Sequence, residues 1–214
     1  MPTSDRGRVR TEAGRRPALR AAIAMAIAGI LGVGGISTAT ADPATPPPGA
    51  FSTADSSTET GAIEQLKASY FQNIDAKNWA GLRELLAPDV VVDTTGSGGP
   101  VIVGRDNFIA FLKLTLGAAE THHQGFDPRI TVTSATTAEA VWRMEDVLIF
   151  GGTLGVHGYG QYADRYEKAD GRWVLVYSKL TRTRLDLIKP DGTVIDTDVP
   201  LERIIELVQQ ATGQ

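Results

Sequence analysis

From Thr121 to Arg184 the chain carries a near-continuous run of strand signals, and this run limits the folds open to it more than any other feature. His122–Phe126 running on to Ile130–Thr133, then Ala138–Phe150, Gly158–Glu167 and Trp173–Arg184 are rich in apolar, β-branched and aromatic residues, with Asp170-Gly171 as the turn between the last two. Strands joined by such short turns pair antiparallel. The preceding segment has a helical period instead, with Ile63, Leu66, Tyr70 and Ile74 on one face from about Thr58 onward, and a second short helix over Trp79–Leu86 that Pro88 stops. Val90–Thr94 and Val101–Val103 read as strands around the turn Gly96-Ser97-Gly98-Gly99, and Asn107–Leu116 as a third helix ending at Gly117. Helices first and long antiparallel strands afterwards predict an α+β fold, a curved antiparallel sheet wrapped around N-terminal helices. A sheet curled over a helix encloses a pocket.

The first 41 residues are expected to lie outside that domain. Six arginines between Arg6 and Arg20 precede the apolar run Ala21–Ile36 and the small-residue site Ala39-Thr40-Ala41, the order of a signal peptide, with cleavage after Ala41. The run is too short and too rich in Ala and Gly for a membrane span, so no span is expected in the mature protein. Arg15-Arg16 resembles a twin-arginine export signal, while Gly14 and Ala18 depart from that pattern and leave a Sec-type signal open. Secretion or another extracytoplasmic destination follows. Residues 42–57, with Pro43, Pro46, Pro47 and Pro48, read as a linker without structure.

Removing the leader takes away six of 21 basic and two of 25 acidic residues, leaving −8 where the whole chain has −4. Such an acidic surface has no electrostatic footprint for nucleic acid. The chain has no cysteine, which excludes disulfides, a thiolate nucleophile and a lipoprotein anchor. Stability must come from the hydrophobic core of a single domain.

The strand Ala138–Phe150 places Ala140, Trp142, Met144 and Asp146 on one side, so Asp146 is a lone carboxylate on an apolar face and needs a partner. His122 and His123 are adjacent on a strand, hence one looks inward if the other looks out. An inward imidazole is the most usable acid–base group near neutral pH. Arg182 and Arg184 share one strand face in this reading. His157 falls in the glycine-rich segment Gly151–Gly160 and is expected near the mouth of the pocket. Past Arg184, Pro190-Asp191-Gly192 turns between two short strands, and Asp198-Val199-Pro200 introduces a helix with Leu201, Ile204, Ile205 and Val208 on one face, so residues 189–214 form a hairpin and an amphipathic helix.

Six stretches carry a resemblance: Leu66–Phe71, Asp75–Trp79, Thr121–His123, Trp142–Asp146, His157–Tyr162 and Trp173–Arg184. Together they resemble the SnoaL-like branch of the nuclear transport factor 2-like superfamily, within it the scytalone dehydratase and bile acid 7α-dehydratase type, over residues 58–188. The resemblance implies a cone-shaped α+β barrel with an internal pocket, and a homodimer through the outer face of the sheet. It also implies a catalytic set of Tyr70, Asp75, His123 and Asp146, with His122 as the alternative histidine. His122, Trp142, His157 and one or both of Arg182 and Arg184 would bind the ligand. Asp75 or Asp146 would orient the imidazole as a base, and Tyr70 with an arginine would stabilise an enolate oxygen or help a hydroxyl leave. No metal or organic cofactor is called for. The implied ligand is a small apolar molecule, steroid-like, terpenoid or polyketide-like, that loses water or shifts a double bond.

Each residue also has a structural alternative. Asp75 could cap the second helix, and Tyr70 could be a core aromatic. The fold hosts non-catalytic ligand-binding and protein-interaction modules as well as enzymes. Convergence of histidine, carboxylate and tyrosine on one position separates the two classes.

Overall fold

A computed structural model of the chain describes residues 53–211. The leader, its cleavage after Ala41 and residues 42–52 of the linker lie outside the described residues. The long helix α1 spans Thr53–Asp75, starting inside the segment 42–57 expected to be linker, and a short α2 follows over Trp79–Glu84. The prolines end at Pro48, and Thr53–Gly61 holds no residue that forbids a helix. Next come β1 (Leu86–Gly96), β2 (Val101–Val103) and α3 (Arg105–Leu116). Four long strands follow, β3 (Glu120–Val132), β4 (Thr137–Phe150), β5 (Leu154–Ala169) and β6 (Arg172–Ile188). The chain closes with β7 (Val194–Asp196) and α4 (Leu201–Ala211).

The strands form one sheet in the order β2-β1-β6-β5-β4-β3, with β7 hydrogen-bonded to the end of β6. All pairings are antiparallel except β1 with β6, which is parallel, with β2, α3, β3, β4 and β5 intervening in the chain. The two runs expected around Asp127-Pro128 are one strand, β3, broken by a bulge between Phe126 and Arg129 with Asp127 at φ 48°.

Alternation along β4 buries Ala138, Ala140, Trp142, Met144, Asp146 and Leu148, and the same side of β5 brings Val156, Tyr162, Asp164 and Tyr166 inward. Against this concave face α1 lays Ile63, Leu66, Tyr70, Phe71 and Ile74, while Phe108, Ile109, Leu112 and Leu116 of α3 close the side near β1. In α4, Ile204 is fully buried and Leu201 and Leu207 pack on the same core. No helix among the described residues is long and apolar enough to cross a membrane.

Candidate active site

The end of α1 sets the site. The chain leaves the helix through Lys77 in the left-handed region, φ 57°, with Asn78 N–H donating to Asn73 O and Lys77 N–H to Ile74 O. Asn78, not Asp75, caps α2, its side chain accepting from Gly81 N–H at 3.1 Å. Asp75 is thereby released from capping and turns its carboxylate to β3.

There it accepts the His123 backbone N–H at 2.9 Å and the Thr121 hydroxyl at 2.9 Å, and its Oδ1 lies 2.6 Å from His123 Nδ1. Lys77 Nζ donates to the same Thr121 hydroxyl at 2.7 Å, so a hydrogen-bonded chain runs Lys77, Thr121, Asp75, His123. Burial pushes the Asp75 carboxyl up, but the ring, backbone and hydroxyl bonds from His123 and Thr121 together hold it below the ordinary value. An ionised Asp75 only accepts, so His123 Nδ1 carries the hydrogen and Nε2 presents its lone pair.

The imidazole, 7% exposed, lies parallel to the Phe71 ring, centroids 6.2 Å apart. Gly125, two residues along β3 and on the same face, lets Phe71 approach: a Cβ there would stand 2.7 Å from Phe71 Cε2. His122 points the other way, exposed, with its Nε2 on Gln124 at 2.7 Å. Of the two histidines, the structure therefore brings only His123 to the cavity, and the binding role expected of His122 is not supported by its position.

The cavity, about 70 Å³, is lined by His123, Tyr70 and Tyr162, by an apolar wall that includes Phe108, Phe111 and Leu112, and by Thr94, Ser97 and Arg182. That volume is well below the roughly 300–1,000 Å³ of pockets for drug-sized ligands. Tyr70 is 3% exposed, and burial raises its hydroxyl pKa well above the ordinary value.

Asp146 stands opposite His123 across the β3–β4 ladder but does not bond it. Its partner is Arg182, in a buried ion pair that leaves Asp146 Oδ1 and Arg182 Nε without hydrogen bonds. Gly158, facing Asp146 on β5, is required here, because a Cβ would collide with Asp146 Oδ1 and lie 2.9 Å from Arg182 Nε. Asp146 therefore cannot orient the imidazole in this arrangement; the carboxylate on His123 is Asp75. Burial lowers the Arg182 pKa, but Asp146 more than offsets it and the guanidinium stays charged.

Three further expectations are corrected. Arg184 does not share a face with Arg182: Tyr159 pairs with Arg184 and Gly160 with Arg182, so Thr183 is the extra residue of a bulge and the arginines turn to opposite sides. Arg184 binds Asp186 through its Nε at 2.7 Å. His157 is on the outer face, not at the mouth, stacked on Tyr159 at 4.2 Å and 3.2 Å from Glu145. Trp142 does not line the cavity; its Nε1–H donates to Tyr166 Oη at 3.2 Å within the core.

A buried cation was missed. Lys67, 1% exposed, lies 2.8 Å from Asp164 and 3.8 Å above the Tyr162 ring centroid, while Tyr166 and Ser178 hydroxyls donate to Asp164 at 2.7 Å each. Its place was legible: four residues after Ile63 and four before Phe71, Lys67 falls on the apolar stripe of α1. Asp164 likewise sits between Tyr162 and Tyr166 in the inward alternation of β5. Among the described residues no group of three or more His, Cys, Asp or Glu could hold a metal ion.

Residues 55–179 match the SnoaL-like domain family. The chain belongs to that family. Solved structures similar to this SnoaL-like protein include a candidate scytalone dehydratase from Novosphingobium aromaticivorans, 24% identical over 63% of this chain and 90% of the other, with a TM-score of 0.58. A hexachlorocyclohexane dehydrochlorinase, LinA type 2, is 18% identical over 64% and 93%, with a TM-score of 0.59. The type 3 enzyme from Novosphingobium barchaimii is 16% identical over 64% and 94%, with a TM-score of 0.57. The unclosed curved sheet with its helices is the nuclear transport factor 2-like cone, as the resemblance implied.

Proposed function

We propose that this SnoaL-like protein is an exported acid–base enzyme that removes a carbon-bound proton from a small apolar molecule, in a dehydration, a related elimination or a double-bond isomerisation. The observation that carries the proposal is the Asp75–His123 pair at 2.6 Å, with the imidazole lining a largely apolar cavity. His123 Nε2 takes the proton, and the resulting imidazolium is stabilised by Asp75, itself held by Thr121 and the His123 backbone. Negative charge left on the substrate or its leaving group meets the Arg182 guanidinium, which Asp146 holds at the cavity wall, and the Tyr70 hydroxyl, which lines the same cavity, is a candidate proton donor. Two relatives of the same fold carry the names of eliminations, one of water and one of hydrogen chloride, which supports this reaction class. Protein groups suffice for every step. The proposal includes export through the N-terminal leader, and pairing of two copies over the outer sheet face around Val141, Ala163 and Tyr177.

The test is exchange of the α-hydrogens of cyclohexanone in deuterated buffer, followed by proton NMR, alongside chloride release from hexachlorocyclohexane. Wild type should accelerate at least one of them, and His123→Gln should return the rate to that of buffer. If an equal rate persists in the His123 variant, the base is elsewhere. No acceleration of either probe, with cyclohexanone nonetheless binding in the cavity, would favour a ligand-binding module of the same fold.

A further inference from the structure

Several polar groups around the cavity are already engaged. The Thr94 hydroxyl donates to Pro100 O at 2.7 Å and the Thr115 hydroxyl to Phe111 O at 2.9 Å, so neither has a hydrogen left to donate to a ligand. His123 Nδ1 is on Asp75, and Arg182 Nη2 is on Asp146, which leaves Arg182 Nε without a hydrogen bond. Ser97 is different. Its Oγ is buried and has no hydrogen-bond partner, and the residue lines the cavity from the turn between β1 and β2.

Burying a hydroxyl without a partner is costly, so its presence beside a wall of phenylalanine and leucine calls for a reason. The turn holds Ser97 firmly. Its own N–H donates to Thr94 O at 2.9 Å, Gly99 N–H to the same carbonyl at 2.9 Å, and Gly98 N–H to Thr95 O at 3.1 Å, with Gly98 at φ 75°. A Cβ on Gly99 would strike the Thr94 side chain, so the backbone has little room to re-aim the serine. Ser97 and Arg182 both line the cavity, and both also line a groove with Gly96, Gly98 and Thr183.

We infer that Ser97 is a specificity-determining residue whose hydroxyl bonds an oxygen of the ligand, so that the cavity selects small apolar molecules bearing a carbonyl or hydroxyl over chlorinated hydrocarbons of the same size. The inference rests on the cavity being the ligand site. A site with a committed hydroxyl discriminates against an analogue lacking the partner atom, because the hydroxyl is then left desolvated and unpaired. Chlorine on carbon accepts a hydrogen bond poorly, whereas a ketone oxygen accepts the hydrogen of a hydroxyl readily.

The experiment is a two-dimensional NMR titration of wild type, Ser97→Ala, Ser97→Gly and Ser97→Thr with cyclohexanone and, separately, chlorocyclohexane. Ser97→Ala and Ser97→Gly should weaken cyclohexanone about three- to tenfold and leave chlorocyclohexane unchanged or tighter, while Ser97→Thr, which keeps the hydroxyl, holds the wild-type ratio. Thermal melts of the variants confirm that the fold persists, and the glycine variant suits the turn if alanine does not. If the ratio of the two affinities is the same in all four proteins, Ser97 makes no such bond and the inference fails while the cavity stands as a ligand site. If neither compound binds wild type, the cavity reading falls and the inference falls with it.

Discussion

His123 and Asp146 are direct cross-strand partners in the β3–β4 ladder, yet each bonds in a different direction: His123 to Asp75 on α1, Asp146 to Arg182 on β6. The two inward groups thus belong to separate pairs, one suited to moving a proton and one to presenting a fixed positive charge.

Asp75→Asn keeps the shape but removes the charge that supports a protonated His123. Proton-transfer rate should fall by roughly 10²–10⁴-fold, read from the exchange assay. The lowered pKa of Asp75 also contributes stability that is fully present above the unfolded carboxyl value of about 3.9 and is lost as pH falls through the lower folded value. The stability difference between wild type and Asp75→Asn, measured by urea unfolding, should therefore shrink below about pH 4.

Thr121→Val breaks the chain between Lys77 and Asp75 while filling the same volume. A loss of about 1 kcal/mol in stability is expected, with a slower rate but unchanged affinity for cyclohexanone. A fall in affinity with no change in rate would place Thr121 in packing alone.

Asp146→Asn strands the charge of Arg182 inside the cone and should cost about 3–5 kcal/mol. The double replacement Asp146→Leu with Arg182→Met should recover most of that stability and still lack activity. Urea midpoints of the three proteins decide it; a single variant as stable as wild type would show that the pair is not coupled.

Lys67 titrates low in the fold because burial disfavours its charge, with Asp164 opposing the shift. The penalty is fully present below the folded pKa and is relieved as pH rises toward the unfolded lysine value of about 10.4. Wild type should therefore gain stability relative to Lys67→Met between neutral pH and pH 10. A difference that does not change with pH would mean that Lys67 keeps an ordinary pKa.

Protein recovered from outside the producing cell should begin at Asp42, as N-terminal sequencing would read it. A full-length N-terminus on cytoplasmic protein would remove the export proposal.

Periodicity along the chain was enough to predict the helix face Ile63, Leu66, Tyr70 and Ile74, the alternation of β4 and the order of helices before strands, because which side of an element is apolar is a local property. The resemblance of six stretches to SnoaL-like proteins added the cone. Adjacency alone required His122 and His123 to part. Which of them met Asp75 was decided by the turn at Lys77, and which arginine entered the cone by the bulge at Thr183; a single inserted residue reverses every later side chain without changing composition. The partner of Asp146, the meeting of Lys67 with Asp164 and the unsatisfied hydroxyl of Ser97 depend on which strands and turns come together across the cone. Those contacts join residues far apart in the chain, and no local pattern encodes them; only the packed sheet does.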